Sequence, residues 1–240
     1  MNTINVQQAI FASSDRGSMK GYQLVAKSDG IDRWTSQELC RWMPSRAASD
    51  DPNDWSINYF PIKEDCFAIT RSVLGGPEYS GRGATQLVTL ILLLSDSQFA
   101  LYSYDPISVA NTAMAMGLLR LPLEMRCSEL PMASLPDAPL LAPTQKAGEP
   151  TCQREQHMLD ELTSLIDQSR RVAVVGRVDP IKAVSCLMPR LSSRARREFS
   201  FTTGLPPAVR RPFQAHFLTS VDKTNRRNLE TQQIVPVAVR

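Results

Sequence analysis

Four arginines bracket one short apolar stretch. Arg196 and Arg197 precede Phe199-Ser200-Phe201-Thr202, and Arg210 and Arg211 follow the breakers Gly204 and Pro206-Pro207. Guanidinium groups offer a planar fork of donors that fits carboxylates and phosphates. Phe199 and Phe201 alternate with Ser200 and Thr202, which predicts a half-buried strand, a turn and a return strand carrying a cationic edge on an apolar support. Arg194 stands just upstream, and Arg82 sits in the glycine-rich run Gly75–Gly83. The candidate partner-binding set is therefore Arg82, Arg194, Arg196, Arg197, Arg210 and Arg211.

The residues that could transform a substrate do not assemble into a motif. His157, beside Gln156 on an expected helix, reads as a surface residue, and His216, between Ala215 and Phe217, as a satisfied strand residue. There is no G-x-S-x-G nucleophile turn. Asp50-Asp51, Glu64-Asp65 and Glu155 lie in polar contexts where carboxylates are solvated. The Gly75–Gly83 run precedes a strand, whereas a phosphate cradle leads into a helix N-terminus. Gly176 does follow a strand, but Arg177-Val178-Asp179-Pro180-Ile181-Lys182 supplies neither further glycines nor a Ser/Thr after the lysine. Cys40, Cys66, Cys127, Cys152 and Cys186 are odd in number and widely spaced, which argues against a disulfide framework or a zinc cluster and for a reducing compartment. No catalytic residue, cofactor or metal is expected, and the chain reads as a binding module, not an enzyme.

The elements that must carry the arginines follow from periodicity. Gln8–Ala12 and Gly21–Ala26 read as strands. Thr35 with Glu38 fits a capping box for a helix burying Leu39 and Trp42, with Trp34 as its staple. Trp55–Ile62 and Asp65–Leu74 alternate as paired strands around Lys63-Glu64-Asp65. Thr85–Leu94 is apolar almost throughout, as in the centre of a sheet. Ser95 and Asp105-Pro106 open helices. Residues 121–150 hold Pro122, Pro131, Pro136, Pro139, Pro143 and Pro150 and read as a linker or extended wrap. Beyond it come a helix at 152–170, a buried strand at 171–176, a helix opened by Asp179-Pro180, a strand at Gln214–Leu218, a polar helix at Asp222–Glu230 and a last strand at Ile234–Val239. The fold class is α+β (mixed α/β): a mostly antiparallel N-terminal sheet with flanking helices over 1–120, the proline-rich linker at 121–150, and a smaller basic α/β unit over 151–240.

Charge is distributed along the same line. Of 240 residues, 1–170 carry 14 basic and 20 acidic side chains, and 171–240 carry 13 basic and 4 acidic. A basic second half offers a face to an acidic partner or to the acidic first half. The N-terminus has no basic region followed by an apolar run, and Leu90–Leu94 is far too short to cross a bilayer, so a cytoplasmic location without a membrane role is expected.

Gln8-Ala9-Ile10-Phe11 followed by Gly21-Tyr22-Gln23-Leu24-Val25-Ala26-Lys27-Ser28 resembles the opening of the bacterial GTPase-associated protein adaptors with an N-terminal domain of type two. So does Gly81-Arg82-Gly83-Ala84-Thr85-Gln86 running into its apolar strand. Arg171–Gly176, Phe199–Leu205 and Arg210-Arg211-Pro212-Phe213 look like the middle segment of the same proteins. The resemblance implies a non-enzymatic adaptor for a GTPase-type or other operon-encoded protein partner in a signalling or conflict system. Such adaptors often belong to longer chains, so this one reads as a fragment or a short subunit. The alternative is a nucleic-acid-binding subunit using Arg190, Arg194, Arg196, Arg197, Arg210, Arg211, Arg226 and Arg227. The stretch has little aromatic interleaving and no RNA-binding signature, which favours the adaptor.

Overall fold

The computed structural model describes residues 2–15, 20–45, 55–78, 85–122, 129–140 and 152–239. The order is β1 (Thr3–Ser14), β2 (Gly21–Ser28), α1 (Arg33–Trp42), β3 (Trp55–Lys63), β4 (Cys66–Pro77), β5 (Thr85–Ser95), α2 (Asp96–Ala100), α3 (Pro106–Ala115), β6 (Glu129–Leu130) and β7 (Ala133–Pro136). Then follow α4 (Gln153–Asp167), β8 (Val172–Val175), α5 (Pro180–Leu187) with a 3-10 turn at Met188–Arg190, α6 (Ser193–Glu198), β9 (Phe201–Thr202), β10 (Ala215–Leu218), α7 (Lys223–Thr231) and β11 (Val235–Ala238). Among the described residues no helix is long and apolar enough to cross a membrane.

The fold is α+β, with one mixed, mostly antiparallel sheet in the order β11-β8-β10-β9-β3-β4-β5-β1-β2-β6, and β7 on β1. The long strands β1, β3, β4 and β5 pair antiparallel, while β9, β10, β8 and β11 run parallel to one another. The two sets meet where Asn58 faces Thr202 and Tyr59 faces Phe201 across β3 and β9. β5 lies between β4 and β1 and is buried on both faces from Gln86 to Leu94, which its unbroken apolar run requires. β1 extends well beyond Gln8–Ala12 because it has three neighbours: its first residues pair with β7, and its later ones with β5 and β2. The partners β6 and β7 come from the proline-rich stretch.

Alternation along the strands gives two cores. Ile57, Tyr59, Phe67, Ile69, Leu90 and Leu92 face one way and pack with apolar residues of α2, α3, α4 and α5. Phe60, Ala68, Ile91 and Leu93 face the other way, under Leu39 of α1 and under Leu205 and Phe213 of the β9–β10 connection. Leu229 of α7 covers Ala173 and Leu218 beside them.

Helix starts follow from capping chemistry. Ser95 and Gln98 make a full capping box on α2. Asp105 and Asp179 each accept two backbone N–H groups with proline in the first turn, as the Asp-Pro pairs predict. For α1 the expectation is corrected. Asp32, not Thr35, is the cap, its carboxylate accepting from the Thr35 amide at 2.6 Å, and Trp34 is half-exposed and staples nothing. Gly75 and Gly76 also belong to β4 rather than to a loop, the strand running on to pair Pro77 with Thr85. One glycine is obligatory: Gly176 has φ +141°, and a Cβ there would lie 3.1 Å from the Val239 carbonyl oxygen.

Candidate functional site

The arginine-flanked stretch is built differently from its sequence reading. Arg194, Arg196 and Arg197 lie on α6, capped by Ser192. Only Phe201 and Thr202 form strand; Phe199, Ser200, Phe201 and Thr202 are all buried, because β9 lies inside the sheet between β3 and β10. No return strand occurs at Arg210–Phe213, which turns back through an Ala208–Arg211 bridge before β10.

Tyr59 seats α6 on β3: its buried hydroxyl donates to the carbonyls of Arg196 at 3.0 Å and Arg197 at 3.2 Å. Burial pushes this phenol far above its usual range. Arg196 is a clasp, its guanidinium donating to the carbonyls of Leu191, Ser103 and Pro189. Arg197 lies 3.0 Å from the Asp96 carboxylate and over the Tyr104 ring. Arg194 is exposed and pairs with Glu198 at 2.8 Å. Between α6 and the β3–β4 turn opens a cleft of about 530 Å³, lined by Lys63, Glu64, Phe67, Arg194, Arg197 and Glu198 among others. Its charges alternate in sign, which suits a mixed-charge protein surface better than a bare polyanion.

Arg210 and Arg211 lie on the opposite side of the sheet. Arg210 is exposed; Arg211 is partly buried, beside Phe213 of the second core. There Arg171 Nε donates to the Phe213 carbonyl at 3.1 Å and Arg171 Nη2 to Gln232 Oε1 at 3.1 Å. His216 is fully buried, with Nδ1 3.4 Å from the Leu205 carbonyl and Nε2 without a partner, so it is only half satisfied. The expected single cationic edge is thus divided between two faces, and Arg82 falls outside the described residues. His157 is exposed.

Burial, and then the charges of Arg171 and Arg211, lower the His216 pKa from 6.5 to about 4. The unfolded chain therefore takes up this proton first as pH falls. Stability from the neutral ring is present above pH 6.5 and is lost on acidification toward pH 4 by on the order of 3 kcal/mol. Denaturant unfolding at pH 7 and pH 5 should show the wild type losing about 2 kcal/mol more than His216→Gln over that interval. Equal losses would mean that the ring is not held neutral.

A second cleft, of about 320 Å³, opens at the carboxyl ends of β9 and β10, where open sheets with parallel strands commonly bind ligands. Ser56, Ser72, Thr203, Ser220, Asp222 and Asn225 contribute its polar groups. Ser56 Oγ is buried without a partner, and the Asp222 carboxylate is committed to the Asn225 amide at 2.6 Å as the cap of α7. These groups can hydrogen-bond a neutral polar ligand. The cleft was not legible in the sequence, because its residues come from β3, β4, the β9–β10 connection and α7 and share no local pattern. Thiol chemistry has weak support in the described chain: burial raises the pKa of Cys40 and Cys186, and that of Cys66 to about 11, away from the thiolate form.

Against known proteins, the family model for GTPase-associated protein 1, N-terminal domain type 2, matches residues 5–132, which run from within β1 to the end of the β6–β7 connection. No curated protein and no solved structure matches the chain.

Proposed function

Because the chain belongs to the GTPase-associated protein 1 family through its type 2 N-terminal domain, we propose that it is a non-enzymatic adaptor that binds a GTPase-type protein partner. The setting would be a bacterial signalling or conflict system in the cytoplasm. The family match is the observation that carries this reading. The surface chemistry supports it: Arg194 borders the mixed-charge cleft beside α6, and Arg210 projects from the other face, both exposed and both free of duties in the core. Arg196 and Arg197 act instead as fasteners, Arg196 on backbone carbonyls and Arg197 on Asp96, and of the two only Arg197 lines the cleft.

The test is capture of a GTPase from a lysate of the native host by the tagged full chain, followed by titration with the purified partner. Arg194→Glu with Arg210→Glu is expected to weaken the complex at least tenfold, since reversing charges at an interface both removes attraction and adds repulsion. Failure to capture any GTPase would sink the adaptor reading. Capture with unchanged affinity in the double variant would clear these two arginines and leave the reading intact. A gel-shift titration with duplex DNA or RNA at low salt separates the alternative: a nucleic-acid subunit would bind with affinity falling steeply as salt rises.

A further inference from the structure

Among the described residues, three of the seven buried side-chain atoms without a partner lie in one neighbourhood: Arg211 Nε, His216 Nε2 and Gln232 Nε2. Arg171 ties the group together, holding the Phe213 carbonyl with Nε and Gln232 Oε1 with Nη2. The Phe213 and His216 rings meet edge to face at 5.9 Å, and both arginines act on His216. Among the described residues no carboxylate pairs with Arg171 or Arg211.

Two of the three vacancies, those of Arg211 and Gln232, are donors. Arg211 is a donor only, and its guanidinium makes no hydrogen bond. Gln232 has spent its oxygen on Arg171, so it presents only N–H groups. His216 Nδ1–H donates to the Leu205 carbonyl, so Nε2 is an acceptor in the neutral ring and becomes a third donor only in the imidazolium, which an adjacent anion favours. A partly buried guanidinium without counter-charge is costly, as is a buried donor left unmade. Arg171 has a structural duty that explains it, whereas Arg211 has none. The geometry points to an oxyanion-binding site formed by Arg211, Gln232, Arg171 and His216, which takes the phosphate or carboxylate group of a ligand. Arg171, Arg211 and Gln232 each keep some solvent exposure, which gives the anion a way in, and Arg210 stands exposed beside it.

The test is NMR of the His216 imidazole in the full chain, titrated with inorganic phosphate, with acetate, and with chloride at matched ionic strength. Phosphate or acetate should shift the ring resonances saturably and raise the His216 pKa by at least one unit, because an adjacent anion favours the imidazolium. A stronger response to phosphate assigns a phosphorylated ligand, and a stronger response to acetate a carboxylate. Arg211→Gln should weaken oxyanion binding at least tenfold without lowering the Tm in chloride. Gln232→Glu, which supplies a resident carboxylate, should abolish the response and raise the Tm, and it serves if Arg211→Gln does not fold. A response equal in chloride, unchanged in both variants, or absent altogether would overturn the site.

Discussion

Asn58→Ala is expected to destabilise the protein by about 4 kcal/mol, the sum of unmade buried hydrogen bonds and a small cavity. Asn58 is 1% exposed. Its amide donates to Thr70 Oγ1 at 3.0 Å and Ser72 Oγ at 3.4 Å, and its oxygen accepts from Thr202 Oγ1 at 2.6 Å. Ser72 continues to Thr89 at 2.9 Å, and Thr202 Oγ1 accepts from the amides of Gly204 and Leu205. A polar chain thus crosses β5, β4, β3 and β9 inside the sheet and fixes the turn after β9. Removing Asn58 strands the Thr202 and Thr70 hydroxyls away from water. Thr202→Val removes the same link from the other side, so the double variant should cost clearly less than the two single changes added. Denaturant unfolding measures all three; strict additivity would mean that the hydroxyls and the amide do not act as one network.

Phe213→Ala should cost about as much, some 4 kcal/mol, for a fully buried aromatic removed from a packed site. Phe213 is 1% exposed, edge-on to Trp42 at 5.0 Å between centroids, and against Phe60 and His216. It is where α1, β3 and the β9–β10 connection meet. The loss should also admit water to His216, so the variant's stability should depend less on pH between 7 and 5 than the wild type's. A cost under about 1 kcal/mol would mean that the neighbours close over the gap, as some core sites do.

What the sequence made legible followed the strength of local patterning. Thr85–Leu94 was legible as an inner strand, and Asp105-Pro106 and Asp179-Pro180 as helix starts. Trp55–Leu74 announced a hairpin by alternation. Alternation alone does not show what covers the polar face: Asn58, Thr70, Ser72 and Thr89 are buried and hydrogen-bonded to one another, a network that only the assembled sheet brings together. The strand at Phe199–Thr202 was legible by alternation, but it shrinks to Phe201–Thr202 and is buried on both faces rather than one, because β3 and β10 enclose it. Thr35 and Asp32 both satisfy the rules for a cap, and only the chain's entry into α1 decides between them. The arginines were visible as a cluster in one dimension. Their division followed from α6 and the Arg210–Arg211 turn packing on opposite faces, which spacing does not encode. His216 looked ordinary because its two cationic neighbours, Arg171 and Arg211, reach it only through the tertiary fold.

The join between β3 and β9 has a mechanical consequence. Its ladder is short, Asn58 with Thr202 and Tyr59 with Phe201 plus a bond from the Thr203 N–H to the Ile57 carbonyl, whereas β4 and β5 are laced together along almost their whole length. A load pulling across the sheet would concentrate on that narrow row. The β9–β10 ladder is as short, Ala215 with Phe201 and His216 with Thr202, so β10, β8 and β11 would part from the long strands at one edge of β9 or the other, before any of the longer ladders gave way.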